Sequence, residues 1–434
     1  MPVGPTAQRG DVRFSSPMNE RRDGNVVVKG QPGGNQNLDT VEGVPEDSKL
    51  SPDDEAAPQS ESLRVEFKTD LADLPPLAER WEAFNRRQTD HDAPFFQSYA
   101  WNHHVASVRS RCSPHHKLLI ATVWRGSDLV GVWPLALRRS AGLWMARSLD
   151  DPFGQLAGVS FQNKADIAPG VAAILSSLRG RADGLQIEGV VADSALHAAL
   201  SRHGAISVSM QEAVIVDLRP YPTFQAFEQS IKGKDRKVLR KRADRLRQAH
   251  DVERVVVEDR AQIAPLLIRI FDERLQWLQH NGRTSPAFRD VAFRTLIGDI
   301  IQADIELVGF VMATKLALIS AQWGFVYAGR FYAYMSTKNS EFDEFSPGRL
   351  LYRMVIESCF GRGVRVLELM PPASRDKVEW SPHVKQVETM TIPFNLKARV
   401  VMRLAHWVVF AARRASRAVP GFVRKPLVRR LNRI

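Results

Sequence analysis

Cysteine is almost missing from this chain: 434 residues contain two, Cys112 and Cys359. They lie far apart and match no metal-ligand or redox spacing, which excludes a disulfide framework and a cysteine-based zinc site. Both are expected as buried or incidental thiols, since free cysteine packs as a small hydrophobe. Nothing calls for an oxidising compartment. Long apolar runs are missing too. A spanning helix needs roughly 18 or more consecutive apolar residues, and no such stretch occurs. The longest candidate, Leu404 to Ala412, has nine residues and includes His406. The start at Met1, Pro2 and Val3 lacks the apolar core of a secretory signal. A cytoplasmic placement is therefore expected. There is no P-loop, no G-x-G-x-x-G and no G-x-S-x-G elbow. The adjacent pairs His103-His104 and His115-His116 point to different faces of either element, so they are read as surface or loop residues and no metal is expected.

Acidic residues are absent from one long region. Residues 390–434 hold eleven Lys or Arg and no Asp or Glu, so most of the formal net charge of +12 resides there. Such a tail suits an anionic partner: a membrane surface, nucleic acid or an acidic protein. Val400, Val401, Leu404, Val408 and Ala411 keep helical spacing, flanked by Arg399, Arg403, Arg413, Arg414 and Arg417. After Pro420-Gly421 a second basic piece runs from Phe422 to Ile434. The pattern over 396–434 is that of basic amphipathic helices lying on anionic lipid, peripheral at the inner membrane face. The alternative is a helix docked on the protein's own surface. At the other end, residues 1–62 contain one aromatic, Phe14, and are rich in Gly, Pro, Asn, Asp, Glu and Ser. That composition cannot offset chain entropy, so disorder is expected.

Between these ends the composition is globular, with 44% apolar and 25% charged residues overall. Leu118 to Trp124 and Leu129 to Leu137 alternate as strands around a turn, Arg125-Gly126-Ser127-Asp128. Helices are expected at 77–87, from Pro94, at 167–178, 195–203, 264–279 and 288–301. Residues 224–250 read as one long helix interrupted at Gly233. Further strands are expected at 184–190, 214–218, 252–257, 305–313, 317–326, 331–336 and 364–370, with a helix opening at Ser346-Pro347-Gly348. This order predicts an α/β fold with mixed (α+β) sheets. Both halves carry adjacent strands joined by a Gly-containing turn, then a helix and a strand.

Three segments carry a family resemblance. The first is the basic helix Lys232 to Val252, containing R-K-x-L-R-K-R-x-x-R-L from Arg236. The second is Ser346-Pro347-Gly348 opening an apolar helix. The third is LELMPPASRDKVEW, Leu367 to Trp380. In order and spacing they resemble the GNAT acyltransferase superfamily, in particular its CelD-like branch, named for cellulose biosynthesis and distantly similar to Fem-type peptidyltransferases. The resemblance covers roughly residues 63 to 395. It implies two tandem GNAT-like modules, 63–219 and 220–395, and transfer of an acyl group from acyl-CoA (acetyl-CoA) to an amine on a small molecule, glycan or lipid, in envelope polysaccharide or lipid assembly. The family's Tyr-Lys-x-x-Trp has Asp376 in place of its Tyr. An aminoacyl-tRNA-dependent transferase of Fem type, with tRNA as partner, and a non-catalytic membrane-associated binding module are the competing readings.

Acyl transfer needs a neutral amine, a polarised carbonyl and a proton for the leaving thiolate. Ser346 suits an N-cap, Pro347 the first helical position, and Gly348 close approach of a phosphate, with Arg349 adding charge. The same residues can simply cap a helix. Glu368, in an apolar strand, is costly unless paired or functional. It can accept the amine proton, or pair with Lys377 or an arginine. Lys377 can stabilise an oxyanion or bind a substrate anion. Trp380 can wall a pocket or pack in the core. Tyr332 and Tyr334 share a strand face, and Tyr334 is the candidate proton donor. Gln322 and Trp323 are candidate acceptor contacts. On the basic helix, Leu239 and Leu246 form one narrow apolar seam under nine Lys or Arg between Lys232 and Arg247.

Overall fold

The computed structural model describes residues 62–87, 94–113, 115–283, 285–381 and 383–404. The expected disordered segment, apart from its last residue, and the tail beyond 404 lie outside the described residues. Among the described residues thirteen strands form the framework: β1 (Leu63–Lys68), β2 (Lys117–Arg125), β3 (Asp128–Ser140), β4 (Leu143–Ser148), β5 (Ser160–Phe161), β6 (Gly184–Val191), β7 (Ile206–Asp217), β8 (Glu253–Val257), β9 (Glu306–Ala313), β10 (Leu318–Tyr327), β11 (Arg330–Lys338), β12 (Val366–Glu368) and β13 (Val384–Pro393). The helices are α1 (Ala78–Arg87), α2 (Tyr99–Cys112), α3 (Ile167–Leu178), α4 (Ala195–Arg202), α5 (Phe224–Ser230), α6 (Gly233–Ala249), α7 (Arg260–His280), α8 (Pro286–Arg289), α9 (Ala292–Asp299), α10 (Pro347–Gly361) and α11 (Arg375–Val378).

The strands join in one mixed sheet, in the order β1-β2-β3-β4-β6-β13-β7-β12-β11-β10-β9-β8, with β5 on β3. The mixed α/β class expected from the sequence is the observed one. The two parallel pairings are β4 with β6 and β11 with β12. Each follows an antiparallel hairpin and a helix: β3-β4, then α3 and β6; β10-β11, then α10 and β12. The β10-β11 turn needs two left-handed residues, and Ala328 (φ 49°) and Gly329 (φ 71°) supply them. Positions 219/220 lie in the connection between β7 and α5, and strands from both sides of them share the sheet.

Several details depart from expectation: β4 and β5 were not expected, and the helix expected at 288–301 is divided into α8 and α9. The break in the long basic stretch falls at Ile231 and Lys232, and Gly233 is the first residue of α6. The strand expected at 364–370 is hydrogen-bonded as strand over only three residues. The strand β13 was not expected, and it lies between β6 and β7. Its apolar positions lose their period of two at a register shift between Thr389 and Met390, which hides the alternation.

Aromatic rings fasten the N-terminal helices to the C-terminal strands. Phe95 stacks on Phe325 with centroids 4.0 Å apart, and Trp101, Trp323, Tyr332 and Tyr334 complete the cluster. On the other sheet face α10 packs with Leu239 and Leu246 of α6, the only two buried residues of that basic helix. The helix over 396–404 sets Ala398, Val401 and Met402 against Leu143 and Met145.

Candidate active site

The strands β11 and β12 stay paired only from Arg330/Val366 to Tyr332/Glu368. Beyond that point β11 continues to Lys338, whereas Leu369 turns away and donates its N–H to the Val214 carbonyl oxygen at 3.0 Å. A cavity of about 360 Å³ opens where the strands part. Tyr334 and Met335 wall one side and Leu369 and Met370 the other, with Phe153, Glu188, Arg274 and Lys377 closing it from neighbouring elements. The cavity therefore draws on both halves of the chain.

Three expected site residues line it: Gln322, Tyr334 and Lys377. Gln322 is 2% exposed, and its Oε1 has no hydrogen-bond partner among the described residues. Tyr334 donates its hydroxyl hydrogen to the Phe153 carbonyl oxygen at 2.9 Å, and burial holds its phenol well above the usual range. It is thus protonated but already committed to the 150s loop. Lys377 donates to the carbonyl oxygens of Met370 (2.7 Å) and Pro372 (3.0 Å). Burial, helped by the charge of Arg274, pulls its pKa down to about 8.

The other expected residues lie elsewhere. Glu368 is fully buried and accepts from Arg330 at 2.8 Å and Lys385 at 3.4 Å, so the arginine pairing is the observed one. Trp323 packs between the rings of Phe325 and Tyr334, at 5.3 and 5.0 Å. Trp380 is in the core on the α10 side. Arg349 forms a 2.6 Å ion pair with Glu379 and is largely buried, so its charge is neutralised within the protein. Ser346 sits at the N-cap position in the left-handed region (φ 54°), but its hydroxyl accepts from Arg242 instead of capping α10. The amides of Arg349 and Leu350 are bonded to the Ser346 carbonyl oxygen. Pro347 has none to give, which leaves Gly348 as the first-turn position facing open space. Tyr352, four residues on, shares the helix face of Gly348 and lines the cavity. One face of α10 therefore runs from the open helix end to the strand split.

Sequence reasoning missed Glu188, Arg274 and Tyr352. Each sits on an element that was expected, but nothing local links residues so far apart in the chain. It also misplaced one histidine: His104 is buried in α2, its Nε2 3.0 Å from the Leu296 carbonyl oxygen. A larger cavity, about 1250 Å³, lies between α1, α2 and the β10-β11 turn. None of the expected site residues lines it, and its Glu82 and Tyr327 are bonded to each other at 2.8 Å. Among the described residues no group of three or more His, Cys, Asp or Glu could hold a metal ion.

With this geometry in hand, comparison with known proteins is informative. Residues 233–378 match a family model described as an acetyltransferase (GNAT) domain. That segment holds β11, α10 and β12, the elements that frame the cavity. That stretch of the chain is thus similar to a GNAT-type acetyltransferase domain. Among solved structures, FemX is similar at 12% identity over 76% of this chain and 98% of its own, with a TM-score of 0.51, which shows a shared fold. A tandem GNAT protein from the clavulanic acid biosynthesis pathway aligns over 77% of this chain and 99% of its own, at 13% identity and a TM-score of 0.46. The C-terminal domain of a putative lysylphosphatidylglycerol synthetase from Agrobacterium fabrum aligns over 77% and 96%, at 14% identity and a TM-score of 0.45. No curated protein matches the chain.

Proposed function

We propose that this protein is an N-acyltransferase of the CelD-like kind that moves an acyl group from acyl-CoA to an amine, at the cavity where β11 and β12 part. The observation that carries this is the cavity at the strand split, which has Tyr352 of α10 on its wall while Gly348 stands one turn back at the open end of the same helix. A thioester donor fits such a path, with its phosphates at the open helix end and its acyl carbon at the strand split. Beyond Tyr332, β11 has no strand on its β12 side, so its outward amides are available to polarise the thioester carbonyl. The amine nitrogen attacks that carbon, the C–S bond breaks, and the proton lost by the amine ends on the thiol. Lys377, held at the Met370 and Pro372 carbonyl oxygens, places a cationic donor for a substrate anion on one wall of the site. Tyr334 positions the 150s loop as one wall of the site. The two halves of the sheet act as two GNAT-like modules, with the C-terminal one carrying the donor.

The test is thermal stability of the full chain with acetyl-CoA, longer acyl-CoAs and free CoA. A ligand that binds only the native state raises stability by mass action, about 2.7 kcal/mol at 100 times its Kd. A shift abolished by Gly348→Glu places the donor at this helix end. No shift with any CoA species overturns the reading and moves charged tRNA to the front.

The tail favours a second element of the proposal, attachment to anionic lipid. In the helix over 396–404, Leu396, Val400 and Leu404 are 73%, 49% and 60% exposed and follow one another at four-residue intervals. Lys397, Arg399 and Arg403 accompany them. Co-sedimentation with phosphatidylglycerol vesicles that survives replacement of all three apolar residues by Ser, at unchanged ionic strength, contradicts this attachment.

A further inference from the structure

The cavity carries opposite charges on opposite walls, and neither Glu188 nor Arg274 forms a salt bridge among the described residues, although Arg147, Arg138 and Asp151 lie near Glu188. On one wall Glu188, the last residue before the left-handed Gly189 (φ 87°), points its exposed carboxylate into the opening. It forms no salt bridge among the described residues, and its only hydrogen bond there comes from Gln186 at 3.4 Å. Glu388 also lines the opening, but His197 stands 3.7 Å from its carboxylate. On the far wall Arg274 of α7 lies over the Trp277 ring at 4.5 Å, half-buried and without a salt bridge among the described residues. Its charged neighbours include Lys377 and Arg283, both cations. Asp376, beside Lys377, is an exposed carboxylate near Tyr352, yet no salt bridge joins it to either cation among the described residues, and such a cation pair favours a ligand that supplies an anion. Gln322 adds an independent sign of a ligand. Its side chain is 98% buried, lines the same opening, and leaves Oε1 without a donor. A buried acceptor left unmade costs its full desolvation, so it marks where an N–H or O–H group is expected.

We propose that the acceptor substrate is a small zwitterion: its primary amine is held on the Glu188 and Gln322 side, and its carboxylate or phosphate is held by Arg274 and Lys377. This rests on the acyl-transfer reading only in naming the amine as the acceptor. The positive wall excludes a diamine, and the carboxylate of Glu188 disfavours a dianionic amine-free ligand. The pairing also orients the substrate. With its anion fixed beside the Met370–Pro372 carbonyl groups that hold Lys377, its nitrogen points back toward the strand split. Glu188 attracts the ammonium form that dominates in solution and takes its extra proton before the neutral nitrogen attacks, and the orphan Gln322 oxygen receives one N–H.

Calorimetric titration of the full chain with 4-aminobutyrate, and with butylamine and butyrate as single-charge controls, tests this without any acyl donor. The expected result is that 4-aminobutyrate binds at least about tenfold more tightly than either control. Glu188→Gln should erase the advantage over butyrate, and Arg274→Gln the advantage over butylamine. Gln322→Leu should weaken binding of the amine-bearing probes while leaving stability unchanged or higher, since it removes an unmade acceptor. Replacing 4-aminobutyrate by 3-aminopropyl phosphate reads which anion the cationic pair prefers. Tighter binding of either zwitterion than of both controls supports the proposal. Equal binding of a single-charge control, or no binding of either zwitterion, overturns it. A protein that binds acetyl-CoA but neither zwitterion keeps its proposed function and loses this substrate class. The reverse pattern keeps the zwitterion site and loses the acyl-CoA reading.

Discussion

The guanidinium of Arg330, at the first paired position of β11 and β12, lies 2.8 Å from Oε1 of Glu368, at the last paired position of the neighbouring parallel strand. Both side chains are buried, and Lys385 reaches the same oxygen at 3.4 Å. The pair closes the base of the split from which the cavity opens. Removing one partner of a buried ion pair strands the other charge, at a cost of about 3–5 kcal/mol. Glu368→Ala is therefore expected to lower unfolding stability by that amount, measured by urea denaturation, while leaving CoA binding by the surviving folded fraction unchanged. A stable Glu368→Ala protein that has lost only activity would return Glu368 to the chemistry.

Asp150 is held by the Trp101 indole N–H at 2.9 Å. Burial, reinforced by Asp151, pushes its pKa up to about 7. A carboxyl raised in the folded state contributes stability that is fully present below its unfolded pKa near 4 and is lost as pH rises toward 7. Asp150→Asn keeps the shape and the acceptor for Trp101 without the charge. It should raise stability at pH 8 by more than about 1.4 kcal/mol, the worth of one pKa unit, and do much less at pH 4. Thermal melts of both proteins at the two pH values decide it; an equal effect at both refutes the assignment.

Lys377 is depressed to about 8, so it loses its proton above that pH while exposed lysines remain charged. At pH 8 its neutral fraction exceeds that of an ordinary lysine on the order of a hundredfold. Brief treatment with trinitrobenzenesulfonate at pH 8, followed by peptide mass spectrometry, should show Lys377 modified ahead of exposed Lys234 and Lys237. Modification should slow sharply at pH 6.5. Labelling no faster than at Lys234 would place its pKa in the ordinary range.

Much of the framework was legible because it is locally encoded. The β2-β3 and β10-β11 hairpins follow from alternation and turn residues, and α10 from Ser346-Pro347-Gly348 and the apolar run behind it. The seam of Leu239 and Leu246 was readable in a helix otherwise made of charges. The failures are tertiary. Arg349 looked free for a phosphate because Glu379 is thirty residues away in sequence, yet the two are 2.6 Å apart. Glu368 looked like a base or a partner of some cation, and only the parallel pairing of β11 with β12 brings Arg330, two residues before its register partner Tyr332, within reach. Glu188 and Arg274 had no signal at all, since a cavity shared between distant strands and helices leaves no spacing in the chain.

The position of β13 has a consequence for how the protein is made. The chain leaves the ribosome from its N-terminus, so β6 and β7 are complete long before residues 384–393 emerge. Until then the central slot of the sheet is empty, and two strand edges rich in unmatched amide and carbonyl groups stand exposed. Beside that slot, Ile206 and Met210 on β7 are still about 60% exposed when folding is finished. Synthesis stalled before residue 384 would thus yield an adhesive product rather than a half-sized protein, and the nascent chain has good reason to be met by a chaperone that shields extended edges.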